Sequence, residues 1–226
     1  MLNIDYGNFS AIRWPAVYRL GQPHSTTLRR ARGPRGRFGM TADLSGHSGK
    51  SIVLVGLMGA GKTSVGRKLA EKMDLAFTDA DEEIVEAAGC SIEDIFEHYG
   101  EKAFRDVEER VIFRLLDEGP QILATGGGAF MNPKIRSRIA TSGISVWLRA
   151  DLDTLVRRTQ RRAGRPLLKN RTPKATLQKL IDERYPVYAD ADIVIDSMDE
   201  GPELTVDIIS DALDAMTKPD NGGKGR

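Results

Sequence analysis

The chain has 226 residues, of which 40% are hydrophobic, 29% charged and 6% aromatic, and its formal net charge is +1. This length is typical of one compact domain with a substantial core. The sequence lacks the run of about 18 apolar residues that a membrane-spanning helix requires. A single cysteine, Cys90, and three scattered histidines exclude a disulfide framework and a thiolate or zinc cluster. We therefore expect a protein of a reducing compartment, the cytoplasm.

Positive charge is concentrated near the N-terminus. Residues 1–39 contain seven arginines and one acid, whereas the remaining residues carry 26 basic and 31 acidic groups. Residues 1–50 show neither helical nor strand periodicity, which predicts a disordered basic extension. A start at Met40, an arginine-rich transit peptide and a nucleic-acid-binding arm are the alternatives. The acidic balance of the body argues against nucleic acid as its partner.

Strand-like and helix-like segments alternate from Ser51 onward. The predicted strands are short apolar runs: Ser51–Val55, Leu75–Thr78, Gln121–Thr125, Ile144–Leu148 and Asp192–Ile195. The predicted helices lie between or after them: Lys62–Met73, Glu82–Ala87, Glu101–Glu118, Asp151–Arg162, Lys174–Tyr188 and Glu203–Met216. This alternation predicts an α/β fold, with a mostly parallel sheet and helices on both faces. We assign residues 51–217 to one domain and 218–226 to a flexible tail.

The first predicted strand leads directly into a glycine-rich motif. The segment Gly56-Leu-Met-Gly-Ala-Gly61-Lys62-Thr63 matches GxxxxGK[ST] at every fixed position. The glycines allow a tight turn whose N–H groups face phosphate oxygens, and the following helix N-terminus adds positive potential. Lys62 can reach the β and γ phosphates, and the Thr63 hydroxyl can ligate Mg²⁺. The motif predicts a nucleoside triphosphate site.

Acidic and basic side chains follow in positions that suit a second substrate. Asp79 and Asp81 come directly after the second predicted strand, where ligands bind in an open α/β sheet. One acid can hold a magnesium-bound water and the other can accept a proton, although a simple helix N-cap is an equally good explanation. Arg105 lies three residues before Glu108 on the long helix, a spacing that an intrahelical ion pair also explains.

A glycine triplet and an arginine-rich run follow later in the chain. Gly126–Gly128 suit close approach of an anionic or polyhydroxyl ligand, but a flexible turn would look the same. Residues 157–165 are rich in arginine, and Gly164 and Pro166 flank Arg165. Such a run is usually a solvated face. Its position at a helix end also suits a mobile lid that brings a guanidinium to a transferred phosphoryl group.

In their order, these motifs resemble those of the shikimate kinases, a branch of the P-loop enzymes similar to nucleoside monophosphate kinases. The resemblance extends from Ser51 to Met216 and includes GxxxxGKT, D-x-D, F-R-x-x-E, GGG, R-P-L-L and E-R-x-P-x-Y. It implies a three-layer P-loop kinase fold with a mobile lid. It also implies Mg²⁺ as cofactor and transfer of the γ-phosphoryl group of ATP to the 3-hydroxyl of shikimate. We expect a cytoplasmic monomer whose partners are small molecules, without nucleic acid or membrane.

The resemblance also implies roles for individual residues. Those implied for shikimate are Asp81, which is also the candidate base, Arg105, Gly127, Gly128 and Arg184. Those implied for ATP are Gly59, Ala60, Gly61, Lys62, Thr63, Ser64, Arg158 and the lid residue Arg165, with Lys62 and Arg165 also catalytic. Thr63 and Asp79 would hold magnesium, and Phe96, Phe104 and Glu108 would line and brace the acceptor pocket. Two features depart from the family pattern: the N-terminal extension of residues 1–50, called the head below, and the arginine-rich run at residues 157–165 that leads into the lid.

Two other functions fit parts of the sequence. A related kinase acting on gluconate would also use arginines, because gluconate carries a carboxylate. A kinase-like regulator with a DNA-binding head would need two apolar-periodic helices before Ser51, and the head contains no such pair. The combination of D-x-D, GGG and E-R-x-P-x-Y favours shikimate.

Overall fold

The computed structural model describes residues 49–160, 173–197 and 201–217, and within them five strands form one parallel sheet. The strands are β1 (Ser51–Val55), β2 (Ala76–Asp79), β3 (Gln121–Ala124), β4 (Gly143–Arg149) and β5 (Ile193–Asp196). Their order across the sheet is β2-β3-β1-β4-β5. Because β1 lies at the centre, all five of its residues are buried, which accounts for its nearly continuous apolar sequence.

Helices connect the strands and cover the sheet. They are α1 (Lys62–Met73), α2 (Ala80–Ala88), α3 (Ile92–Asp117), α4 (Pro133–Ser142), α5 (Leu152–Gln160), α6 (Pro173–Tyr188) and α7 (Pro202–Thr217), with a short 3-10 helix at Ala129–Met131. Helix α1 packs against α7, α3 against α4, and α5 against α6. The predicted three-layer α/β fold is confirmed. Among the described residues, no helix is both long and apolar enough to cross a membrane.

The long helix α3 differs from its prediction. It begins at Ile92 rather than Glu101, and it is broken at Gly100, where φ is 79° and ψ is 173°. Glycine adopts this left-handed backbone at low cost, which explains why the chain can turn there and resume the helix. A capping box begins the helix: Asp94 N donates to Ser91 Oγ at 3.1 Å, and Ser91 N donates to Asp94 Oδ2 at 3.2 Å.

The sheet brings three predicted motifs to one edge. The glycine-rich loop follows β1, Asp79 ends β2, and the glycine triplet comes one residue after β3. Because these strands are parallel neighbours, their carboxyl ends meet, and the loops that follow them share one side of the molecule. Residues 161–172, which include the predicted lid and Arg165, lie outside the described residues, as do residues 1–48.

Candidate active site

A cleft of about 540 Å³ opens along this edge of the sheet. The predicted site residues that line it are Gly59, Gly61, Lys62, Thr63, Ser64, Asp79, Asp81, Phe96, Phe104, Arg105, Glu108, Gly127, Gly128, Arg158 and Arg184. Ala60 is the buried residue of the loop itself, and its N–H donates to the Leu57 carbonyl at 3.1 Å. The fold therefore places the nucleotide-side and acceptor-side predictions in one continuous cleft.

The glycine-rich loop has the backbone that its sequence predicts. Gly59 and Gly61 have φ values of 86° and 99°, in the left-handed region that favours glycine. Lys62, the first residue of α1, lies over the loop, and its Nζ donates to the carbonyls of Gly56 at 2.8 Å and Leu57 at 3.1 Å. The ammonium is thus held at the mouth of the loop, beside the positive end of the α1 dipole.

Arg158 on α5 is fixed to this loop by a residue that the sequence interpretation missed. Its Nη1 donates to Ser197 Oγ at 2.8 Å and to the Gly59 carbonyl at 3.4 Å, and Ser197 Oγ donates to the Ala60 carbonyl at 2.9 Å. Ser197 comes directly after β5, at the same edge of the sheet. Its position at a strand's carboxyl end was the signal that could have identified it.

Asp79 is the N-cap of α2, as one of the two sequence interpretations expected. As the N-cap of α2, its Oδ1 accepts a hydrogen bond from Asp81 N at 3.1 Å. Its Oδ2 accepts one from Thr63 Oγ1, in the first turn of α1, at 3.0 Å. A carboxylate and a hydroxyl oxygen therefore face each other at the predicted magnesium position, and the capping bond holds Asp81 in the first turn of α2.

A charged cluster occupies the acceptor end of the cleft. Arg105 Nη1 donates to Glu108 Oε2 at 2.7 Å, and Arg105 Nη2 donates to Glu101 Oε1 at 3.3 Å. Glu108 is 1% exposed, and its Oε1 has no hydrogen-bond partner among the described residues. Burial raises the pKa of the Glu108 carboxyl, and the charge of Arg105 opposes this only in part. The ion pair expected from the spacing exists, and it anchors the arginine to a buried group.

The glycine triplet lies against the charged side chains of this cluster. A Cβ on Gly126 would lie 2.8 Å from Asp81 Oδ1 and 3.0 Å from Glu108 Oε1, and one on Gly128 would lie 2.5 Å from Arg105 Nη1. Arg184 on α6 approaches from another direction, and its Nη1 donates to the Gly127 carbonyl at 2.7 Å. The two guanidiniums are therefore placed against adjacent glycines, with two carboxyl groups beside the triplet.

A phosphate-binding loop that shares a cleft with paired arginines and an aspartate places the protein among the ATP-dependent small-molecule kinases. The shikimate kinase family model matches residues 58–214. A shikimate kinase from Paramagnetospirillum magneticum is 54% identical over 75% of this chain and 87% of its own length, and one from Mesorhizobium japonicum is 49% identical over 75% and 82%. The structure of a shikimate kinase from Acinetobacter baumannii in complex with shikimate is 35% identical, with a TM-score of 0.73 over 77% of this chain and 98% of that one. The chain belongs to the shikimate kinase family.

Proposed function

We propose that this protein transfers the γ-phosphoryl group of ATP to the 3-hydroxyl of shikimate, giving shikimate 3-phosphate and ADP. The observation that carries the proposal is the convergence of Arg105 and Arg184 on the glycine triplet, next to Asp81. This arrangement lies in the same cleft as the phosphate-binding loop. Shikimate is a polyol with one carboxylate, so its recognition calls for guanidinium groups at one end and an acid beside a hydroxyl at the other.

The two arginines bind the carboxylate in this proposal. Guanidinium groups pair with carboxylates through charge-assisted hydrogen bonds of defined direction. Arg105 is held by Glu108 and Arg184 by the Gly127 carbonyl, so both side chains have partners that restrict their rotamers. Less conformational freedom is then lost when the substrate binds.

Asp81 orients the 3-hydroxyl and accepts its proton, while Lys62 neutralises negative charge on the transferred phosphoryl group. Lys62 must exchange its two loop carbonyls for phosphate oxygens, which are stronger acceptors because they are charged. Arg165 would complete the neutralisation from the lid. Phosphoryl transfer depends mainly on positioning and on neutralising charge, so these three residues are the proposed catalytic groups.

The Thr63 hydroxyl and the Asp79 carboxylate fit Mg²⁺, because the ion prefers hard oxygen ligands and retains several waters. The two oxygens lie 3.0 Å apart. When bound, Mg²⁺ would neutralise charge on the β and γ phosphates. Asp79 would hold its water shell, and Thr63 would exchange its hydrogen bond to Asp79 for the ion.

The nucleotide side follows from the loop. Gly59, Ala60, Gly61, Lys62, Thr63 and Ser64 surround the phosphates in the proposed complex, and Arg158 covers the adenine. The hydrogen bond from Arg158 to Ser197 supports this role, because it restricts the rotamers of the arginine beside the loop. We further propose that residues 51–217 form the catalytic domain and that the protein is a cytoplasmic monomer. Sedimentation of the purified protein would test whether it is a monomer.

The test is an ADP-release assay across a panel of hydroxy acids that includes shikimate, gluconate and the primary amide of shikimate. We expect shikimate to give the highest kcat/KM, because it alone in this group matches both the carboxylate and hydroxyl positions. The amide should bind poorly, since it cannot pair with two guanidiniums. A flat panel or a preference for gluconate would overturn the proposal, and equal binding of the amide would remove the role given to the arginines.

A further inference from the structure

Tyr188, the last residue of α6, contacts the glycine triplet Gly126–Gly128 through its hydroxyl. Its side chain is 1% exposed, and its hydroxyl donates to the Gly127 carbonyl, which also accepts from Arg184. Burial raises the pKa of the Tyr188 phenol to about 12, so the hydroxyl remains protonated and able to donate at any pH at which the protein works. One carbonyl of the glycine triplet is therefore fixed by two donors from a single helix.

The ring of Tyr188 is held as firmly as its hydroxyl. Its centroid lies 5.8 Å from that of Trp147, 6.2 Å from Tyr185 and 6.3 Å from Phe130. Trp147 belongs to β4, and Phe130 lies in the 3-10 helix that follows the triplet. The phenol therefore has little room to move, and the direction of its hydrogen bond is set by the packed core.

The planarity of the peptide group makes this contact important for the cleft. In a trans peptide the carbonyl and the N–H point in opposite directions, and none of the described peptide bonds is cis. Because both Tyr188 and Arg184 donate to the Gly127 carbonyl, the N–H of Gly128 is directed away from both donors, and the direction of this peptide also sets where the Arg184 guanidinium lies in the cleft. A triplet without side chains is otherwise free to rotate this peptide.

We propose that Tyr188 is a positioning residue for the acceptor: it fixes the Gly127–Gly128 peptide, and the Gly127 carbonyl in turn holds the Arg184 guanidinium in place for the substrate. This inference rests on the proposed function, since shikimate is the acceptor concerned. Tyr188 is not among the residues that line the cleft, and it acts through the Gly127 carbonyl and the Arg184 guanidinium bonded to it.

The test compares Tyr188→Phe with Tyr185→Phe. The two tyrosines belong to the same aromatic cluster, and each donates to a backbone carbonyl, but that of Tyr185 belongs to Ala150, which does not line the cleft. We expect Tyr188→Phe to raise the KM and the Kd for shikimate by roughly 3- to 10-fold, because a displaced Arg184 guanidinium weakens about one hydrogen bond to the substrate. The KM for ATP should stay within twofold, and Tyr185→Phe should leave both KM values unchanged.

Thermal melting of both variants separates stability from positioning. Similar small losses in Tm, with the change in shikimate KM confined to Tyr188→Phe, would support the proposal. An unchanged shikimate KM in Tyr188→Phe, or an equal rise in both variants, would overturn it. Wild-type protein that fails to phosphorylate shikimate would instead refute the proposed function, so the two failures are distinguishable.

Discussion

Replacing Gly128 with alanine tests the acceptor site with a single methyl group. Gly128 has φ −104° and ψ −14°, a backbone that alanine adopts without strain. The added Cβ would lie 2.5 Å from Arg105 Nη1 and 2.6 Å from Nη2, whereas ordinary contacts begin at 3.4 Å. The guanidinium must therefore retreat by about 1 Å. It is the end of a long side chain that is 30% exposed, so the fold can accommodate the movement.

Displaced by this distance, Arg105 can no longer make its hydrogen bond to the substrate carboxylate. A hydrogen bond to a charged group is worth about 1.5–3 kcal/mol, which corresponds to roughly 10- to 150-fold in affinity. We expect titration calorimetry to show a loss of shikimate affinity in this range for Gly128→Ala, with ATP affinity retained.

Gly66→Ala is the matched control, because its Cβ would also lie 2.5 Å from a side-chain atom, Cε2 of Phe77. That contact lies in the packing between α1 and β2, so the substitution should lower the free energy of unfolding by about 1–3 kcal/mol. The better helix propensity of alanine offsets part of this loss. Shikimate affinity should be unaffected. If Gly128→Ala binds shikimate within twofold of wild type, Arg105 does not read the carboxylate and the acceptor assignment is wrong.

Four other substitutions probe the remaining groups. Lys62→Met should lower kcat by roughly 100-fold or more while circular dichroism stays native, and near-normal turnover would contradict the role of the loop. Asp79→Asn should be partly restored by raised magnesium, because asparagine still caps α2, whereas Asp81→Asn should stay inactive; identical magnesium titrations would refute this division. Burial raises the pKa of Glu108 above its ordinary value of 4.5, so the folded protein holds that proton more tightly than the unfolded chain. The free energy of unfolding of the wild type should therefore fall relative to that of Glu108→Gln as pH rises from 4.5 through the raised pKa. If the two proteins show the same dependence of unfolding free energy on pH across that range, the raised pKa of Glu108 is refuted.

Local sequence signals were sufficient where they were strong and contiguous. The boundaries of β1 and α1 agree with the prediction, because an apolar strand, a glycine-rich loop and an amphipathic helix follow one another without a gap. Helix α4 was missed although its N-cap is plain: Asn132 Oδ1 accepts from Lys134 N at 2.9 Å, and Pro133 occupies the first turn. Only Ile135 and Ile139 are buried in this short helix, so its apolar pattern is weak.

The shape of the site depends on contacts between distant parts of the chain. Motif order predicted many of the residues that line the cleft, but not Ser197. It could not predict that Arg158 is held by Ser197, 39 residues away, or that Tyr188 reaches the carbonyl of Gly127, 61 residues away. Such pairs follow from how helices pack on the sheet, and neither periodicity nor a local motif contains that information.

The central position of β1 limits when the sheet can form during synthesis of the chain. Ile52 pairs with Ile122 on one side and Ile144 on the other, which are made 70 and 92 residues later. At about 5–20 residues per second, a ribosome needs roughly 5–20 s to extend from β1 to β4. During that interval the five residues of β1 lack the β4 side of their native pairing. The nascent chain must therefore avoid aggregation through β1 until β4 has been made.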